Sequence, residues 1–323
     1  MVQGGTAVQL GVIVAAILGL WIGARALVDA VVRLAGRFGL SDLTIGLTVV
    51  AMGTSTPELA VSVDSALKGL GDIAVANVLG SNIYNLAFIL GVVSLFKVIP
   101  IAESLVHRDG VALLASTLVG GLAIADLTVT RLEGGLIAGL FVVYTVHLLR
   151  TAQSSSPTTA AETVTTTVTE RVRFRGRDAA LLVAGLAIVL VSGDYMVAAA
   201  SELARGAGIS EWVIGGTIVA AGTSTPEFAV SLVALRRGSL GVSVGNVVGS
   251  NVYNVTGIMG VSALLSPLVV SGTALETLAW LAGITVLMVA ALWTKRQLSR
   301  IEGTLFAGSE VIRWVLGLLG VLG

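Results

Sequence analysis

The sequence has no cysteine and only two histidines in 323 residues. The first absence excludes a disulfide scaffold, thiolate metal sites and cysteine nucleophiles. The second leaves a His-ligated metal centre almost nothing to build from. Charge is scarce too. Asp, Glu, Lys and Arg make up 12% of the chain, about half of the roughly 25% usual for soluble domains. A soluble body of this size could not cover its surface with so few charges. A soluble enzyme, a nucleic-acid binder and a disordered tail are therefore excluded. What is abundant is apolar: 55% of residues are hydrophobic and the mean hydropathy is +0.96. The chain reads as a polytopic membrane protein partnered by the lipid bilayer. Its 40 glycines suit close helix packing in lipid.

Crossing the hydrocarbon core takes about 20 apolar residues. Ten such runs are expected, near 7–30, 41–66, 71–96, 109–126, 132–149, 179–201, 211–235, 240–265, 273–293 and 304–322. The first lacks a basic flank and is long enough to span, so it reads as a mature helix and not a cleaved signal. The stretch 151–178, rich in Ser and Thr and then Arg, reads as a solvated linker. It is too short for a folded regulatory domain. With the N-terminus outside, the inside loops hold fourteen Lys and Arg and the outside loops only three, Lys68, Arg131 and Arg205. Positive residues accumulate on the cytoplasmic side. Both termini are therefore expected outside the cell membrane, with the linker inside.

The chain repeats itself. Residues 46–91 and 215–260 align at a constant offset of 169, with 24 identities in 46 positions and no gap. Five spans fall in each half, and an odd number inverts the second copy in the bilayer. The expected fold is all-α, with ten transmembrane helices as two inverted five-helix repeats, 1–150 and 179–323, joined by a cytoplasmic linker 151–178. Inverted repeats mark secondary transporters, whose substrate site lies near the midplane between the repeats.

Each copy carries Gly-Thr-Ser-Thr-Pro-Glu inside an apolar run, at Gly53–Glu58 and Gly222–Glu227. A carboxylate at that depth is costly and marks a functional site. Pro57 and Pro226 lack an N–H, so the carbonyls of Gly53 and Gly222 lose their helical donors and the helices should break there. Thr54, Ser55 and Glu58 share a helical face by i,i+3 and i,i+4 spacing. In the next span the motif Gly-Ser-Asn-x-Tyr-Asn sets Ser81 and Asn85 one turn apart, repeated as Ser250 and Asn254. Asn82 and Asn251 read as helix-to-helix contacts. The set is all oxygen, which suits hard cations, notably Ca²⁺ with about six to eight oxygens. Na⁺ has a similar radius and the same preference. Two carboxylates balance one Ca²⁺ or two Na⁺, so a protein that changes sides only when loaded would exchange them. No GxxxxGK[ST] motif offers ATP as an alternative drive.

At these residues the chain resembles the Ca²⁺/cation antiporter superfamily and, within it, the prokaryotic Na⁺/Ca²⁺ exchangers. The resemblance implies an antiporter that uses the inward Na⁺ gradient to extrude Ca²⁺ by alternating access. It implies a protein functional as a monomer and without a cofactor, Na⁺ and Ca²⁺ being its transported ions. Glu58 and Glu227 match the family's central acidic ligands. Thr54, Ser55, Ser81, Thr223, Ser224 and Ser250 match its neutral ligands, and Ala51 and Ala220 match positions that contribute carbonyls. The first and sixth spans are implied to slide against the rest. Asn85 matches an Asn of the family, but Asn254 stands where many members have Asp, leaving two site carboxylates and not three. The proton-coupled branch tends to carry Asn in the Glu motif, where this chain has Thr and Ser.

Other acids read as structural. Asp29 lies four residues after Arg25 and can pair with it; Asp64, Asp194 and Glu202 suit pairing or exposure, and Asp72 a surface cap. Three alternatives stay open: an H⁺/Ca²⁺ or other divalent-cation exchanger, a cation channel, and an intramembrane enzyme with Ser55 or Ser224 as nucleophile. The last lacks a nearby His or Lys base, so no enzyme activity is expected.

Overall fold

The computed structural model describes residues 5–100, 103, 105–154, 176–207 and 220–318. Most of the linker read over 151–178, the start of the run at 211–235 and the end of that at 304–322 lie outside the described residues. The rest is helical, as the apolar runs predict. Helices α1 (Thr6–Phe38) and α2 (Asp42–Thr54) are followed by α3 (Thr56–Leu67), α4 (Gly71–Phe96), α5 (Gly110–Ile124) and α6 (Arg131–Ser154). After the linker come α7 (Gly176–Gly206), α8 (Ala220–Thr223), α9 (Thr225–Arg236), α10 (residues 240–265), α11 (Thr273–Lys295) and α12 (Arg300–Leu318). Among the described residues five helices are long and apolar enough to cross a membrane: α1, α4, α6, α7 and α11. The chain is thus a mostly helical polytopic membrane protein.

Local chemistry explains the boundaries. Gly39 ends α1 with φ of 65°, and its N–H bonds the Ala35 carbonyl. Ser41 then caps α2 by accepting the Thr44 N–H at 3.1 Å. The turns after α3 and after α9 each contain a glycine at positive φ, Gly69 at 74° and Gly238 at 81°. These positions are 169 apart, and a left-handed turn favours glycine at both. Several helices outrun the bilayer thickness; α1 extends to Phe38 where the hydropathy suggested about 30.

Helix α4 is the innermost of the five long helices, with 78% of its most apolar window buried, whereas α6 and α7 have only 17% buried. Outer helices with apolar exposed faces meet lipid, as a membrane protein requires. Helix α2 packs against α10 so closely that side chains are excluded: a Cβ on Gly245 would meet the Leu43 carbonyl at 2.6 Å, and one on Gly249 the Leu47 carbonyl at 2.5 Å. Two short antiparallel pairings tie the halves together. Ile99–Pro100 pairs with Gln297–Leu298, and Thr128–Val129 with Leu268–Val269. Ile99 and Leu268 are equivalent at the 169 offset, as are Thr128 and Gln297, so each half completes the other's strand.

Candidate functional site

The repeated Pro dictates the architecture of the site. Helix α2 stops at Thr54, Ser55 leaves helical geometry (φ −80°, ψ 18°), and α3 begins at Thr56 with Pro57 in its first two residues. The second copy does the same: α8 ends at Thr223, Ser224 breaks the chain (φ −87°, ψ 9°), and α9 starts at Thr225 with Pro226. Pro is well placed at a helix start because its missing N–H has no intrahelical acceptor there. The break puts Glu58 and Glu227 in the first turn of α3 and α9, where the free N–H groups favour a carboxylate.

The copies exchange hydrogen bonds. Ser55 donates to Glu227 Oε1 at 2.7 Å, and Ser224 donates to Glu58 Oε1 at 3.0 Å. The Ser250 hydroxyl lies 3.4 Å from both Glu227 Oε1 and the Ala51 carbonyl. The Thr223 hydroxyl also interacts with the Glu58 carboxylate, and Thr54 with that of Glu227. Both carboxylates are fully buried. Among the described residues basic side chains pair with Asp29, Asp64, Glu103, Asp109, Asp178, Glu202 and Glu310, and none reaches Glu58 or Glu227. No three His, Asp or Glu side chains come together there either, so the site's formal charge is set by two carboxylates.

The asparagines are arranged to free oxygens. Equivalent π-helical segments, Tyr84–Ile89 and Tyr253–Ile258, carry Asn85 and Asn254; such segments occur often at functional sites. The Asn85 amide donates to Asn251 Oδ1 at 3.2 Å, and the Asn254 amide to Asn82 Oδ1 at 3.0 Å. Each site Asn thus spends its NH₂ on the other copy and keeps its carbonyl oxygen. Asn82 and Asn251 do make contacts between the copies, as the sequence suggests, and they orient the site amides as well. Among the described residues, five buried oxygens of the two motifs have no hydrogen-bond partner: Glu58 Oε2, Glu227 Oε2, Ser81 Oγ, Asn85 Oδ1 and Asn254 Oδ1. Leaving that many acceptors buried without a donor is costly. All five are of the oxygen type that a hard cation takes.

The structure brings together Thr54, Ser55, Glu58, Thr223, Ser224, Glu227 and Ser250 through the bonds above. Ala51 contributes its carbonyl. Ala220 opens α8, and the residues before it lie outside the described part. Two expectations change. The Gly53 carbonyl is not left open, because the Thr56 hydroxyl donates to it at 2.7 Å. Asp29 pairs with Arg237 at 2.8 Å and not with Arg25, since the α9–α10 turn brings that guanidinium to α1. Asp72, exposed as expected, accepts from the Ser271 N–H and hydroxyl across the halves. Asp64 and Glu202 pair with Lys68 and Arg205, and Asp194 is exposed. Sequence reading passed over Asn77 and Asn246. Each lies 19 residues after its Glu and donates to that Glu's backbone carbonyl, at 3.1 and 3.2 Å. Their identity at the 169 offset was the available signal.

Comparison with known proteins gives concordant findings. The sequence matches the family model described as "Sodium/calcium exchanger protein" over residues 8–150 and 178–312. It is 34% identical over 296 residues to the putative antiporter CaxA of Alkalimonas amylolytica, covering 90% of this chain and 92% of that one. It is 29% identical to the sodium/calcium exchanger MaX1 of Methanosarcina acetivorans, covering 84% and 87%. Its fold is similar to that of the sodium-calcium exchanger NCX_Mj soaked with Na⁺ and Ca²⁺, with a TM-score of 0.80, 28% identity and coverage of 94% and 96%.

Proposed function

The chain belongs to the sodium/calcium exchanger protein family, and from that premise we propose that it is a secondary antiporter exchanging Na⁺ for Ca²⁺ at the buried oxygen cluster. One observation carries this reading: five buried oxygens of the repeated motifs have no hydrogen-bond partner among the described residues, and two of them belong to carboxylates that no basic side chain reaches. The ligand set we assign is Glu58, Glu227, Thr54, Ser55, Ser81, Asn85, Thr223, Ser224, Ser250 and Asn254, with carbonyls from Ala51 and Ala220. Two carboxylates balance one Ca²⁺ or two Na⁺. Either load neutralises the site in a low dielectric, and the empty site carries two like charges that resist crossing. Exchange follows from that difference, with no enzymatic step and no resident cofactor.

The proposed architecture is ten membrane spans in two inverted repeats, 1–150 and 179–323, with the linker inside and both termini outside the plasma membrane. The excess of Lys and Arg in the assigned inside loops supports the orientation. An apolar hollow lies beside each broken helix. One of about 480 Å³ runs along α3 from Leu67 and Asp64 to Thr56. The other, of about 560 Å³, lies between α1, α7 and α9 and reaches Gly222 and Thr225. Direction follows from the gradient: Na⁺ entering would expel Ca²⁺. The reading includes a functional monomer.

The test is Ca²⁺ uptake into proteoliposomes loaded with Na⁺ and diluted into Na⁺-free medium. Uptake should vanish when the Na⁺ gradient is collapsed. Uptake driven by a pH gradient without Na⁺ would transfer the assignment to H⁺ exchange. Conductance without any counter-ion would make the protein a channel.

A further inference from the structure

A neutral hydroxyl binds a cation only if it turns its lone pairs toward the ion, so its proton must go elsewhere. We propose that Asn246 is a positioning residue that takes the proton of Thr54 and thereby makes Thr54 a cation ligand. This deepens the proposed function and rests on its assignment of Thr54 to the site.

A chain of hydrogen bonds leads from the second copy's backbone to the Thr54 hydroxyl. Ser231 donates its hydroxyl proton to the Ser243 carbonyl at 3.2 Å. Its lone pairs then accept from Asn246 Nδ2 at 3.1 Å. The same amide nitrogen donates to the Glu227 backbone carbonyl at 3.2 Å. Two acceptors on one side of the amide fix which end is nitrogen. Asn246 Oδ1 must therefore face the other way, where the Thr54 hydroxyl lies 3.0 Å from it. Asn246 and Thr54 are both fully buried. Thr54 has other acceptors within reach, the carbonyls of Val50 at 3.1 Å and Ala51 at 3.4 Å and the Glu227 carboxylate. Were its proton turned to any of these, Asn246 Oδ1 would be a buried acceptor without a donor, at the cost that such groups carry. The amide thus selects the direction of the hydroxyl. It also spans the two copies, for Asn246 lies on α10 beside Glu227 and Thr54 on α2 beside Glu58. The ligand direction in one copy is set by the backbone carbonyl of the acid in the other.

The first copy builds the same frame. Asn77 Nδ2 donates to the Glu58 carbonyl at 3.1 Å and to Ser62 Oγ at 2.9 Å, while Ser62 donates to the Ala74 carbonyl at 3.2 Å. The repetition argues that the amide orientation belongs to the motif and is not an accident of packing at one site.

The experiment is a double-mutant cycle on Ca²⁺ binding to the full chain in detergent, measured by calorimetric titration with Ca²⁺ alone. Thr54→Val removes the hydroxyl at constant shape. Asn246→Leu removes the acceptor at similar volume. Each single variant should weaken Ca²⁺ binding about tenfold, the lower end of what outer-shell partners of metal ligands are worth. The double variant should be no weaker than either single one, because Asn246 acts through the Thr54 hydroxyl. Effects that multiply to about a hundredfold would overturn the proposal and leave Asn246 a packing residue. Unchanged binding in Thr54→Val would instead remove Thr54 from the site, a failure of the functional reading. Thr54→Ser, which keeps the hydroxyl, should retain the dependence on Asn246. If Asn246→Leu does not fold, Asn246→Ala closes the same cycle.

Discussion

The two copies of the motif carry the same residues and hold them differently. In the second copy Ser250 reaches both Glu227 and the Ala51 carbonyl, whereas Ser81, its equivalent, has no partner among the described residues. Asn246 is fully buried and bonded to Thr54, while Asn77 is half-buried. Thr225 is 8% exposed, whereas Thr56 is exposed. Near-identical sequence thus gives unequal environments. The difference teaches that the repeat supplies equivalent parts, and that a given conformation uses them unequally. An exchanger needs such inequality, because a site equally open on both sides would leak.

The largest test of the comparison removes a carboxylate. Glu58→Gln and Glu227→Gln should each lower Na⁺-driven Ca²⁺ exchange in proteoliposomes by at least about 100-fold, since site charge dominates Ca²⁺ affinity. Full rates in either variant would break the equivalence of the copies. Next comes Gly249→Ala. Its Cβ would strike the Leu47 backbone carbonyl, an overpacking that should cost about 1–3 kcal/mol. A lowered thermal midpoint in detergent would show that the second copy's glycines hold the first copy's α2 in place. Ser250→Ala and Ser81→Ala then sharpen the contrast directly. Ser250→Ala should lose about 1 kcal/mol of stability with its hydrogen bonds, and Ser81→Ala close to none. Both should weaken Ca²⁺ binding; equal losses of stability would mean that the two serines are held alike. The smallest effect is expected for Asp29→Asn. Its partner Arg237 is as solvent-accessible as Asp29 itself, so chemical denaturation should show a loss below about 1 kcal/mol.

Much of this was legible in the sequence because apolar length and a gapless repeat are strong signals. The Pro-Glu pair announced both the helix break and the carboxylate, but helical spacing set Thr54 and Ser55 on one face with Glu58, and the break at Ser55 turns both hydroxyls to groups of the other copy. Other features were hidden for identifiable reasons. The bond between Asp29 and Arg237 depends on how a distant turn packs, and helical spacing favoured the nearer Arg25. The Thr56 hydroxyl covers the Gly53 carbonyl because a side chain can replace the donor that Pro removes. Asn77 and Asn246 stood in plain view as identities, yet an amide beside a Gly-Ser-Asn motif gives no sign of which backbone carbonyl it will meet. The π-helical turns at Tyr84 and Tyr253 leave no trace in hydropathy at all.

The strand pairings between the halves have a consequence in time. Ile99–Pro100 finds its partner only at Gln297–Leu298. At about 5–20 residues per second of synthesis, the earlier strand waits roughly 10–40 s with its edge unmatched. Thr128–Val129 waits in the same way for Leu268–Val269. The first half can enter the bilayer helix by helix, but its two edges stay open until the second half is made. A ribosome that stalled in the linker would leave a chain able to insert and unable to finish folding.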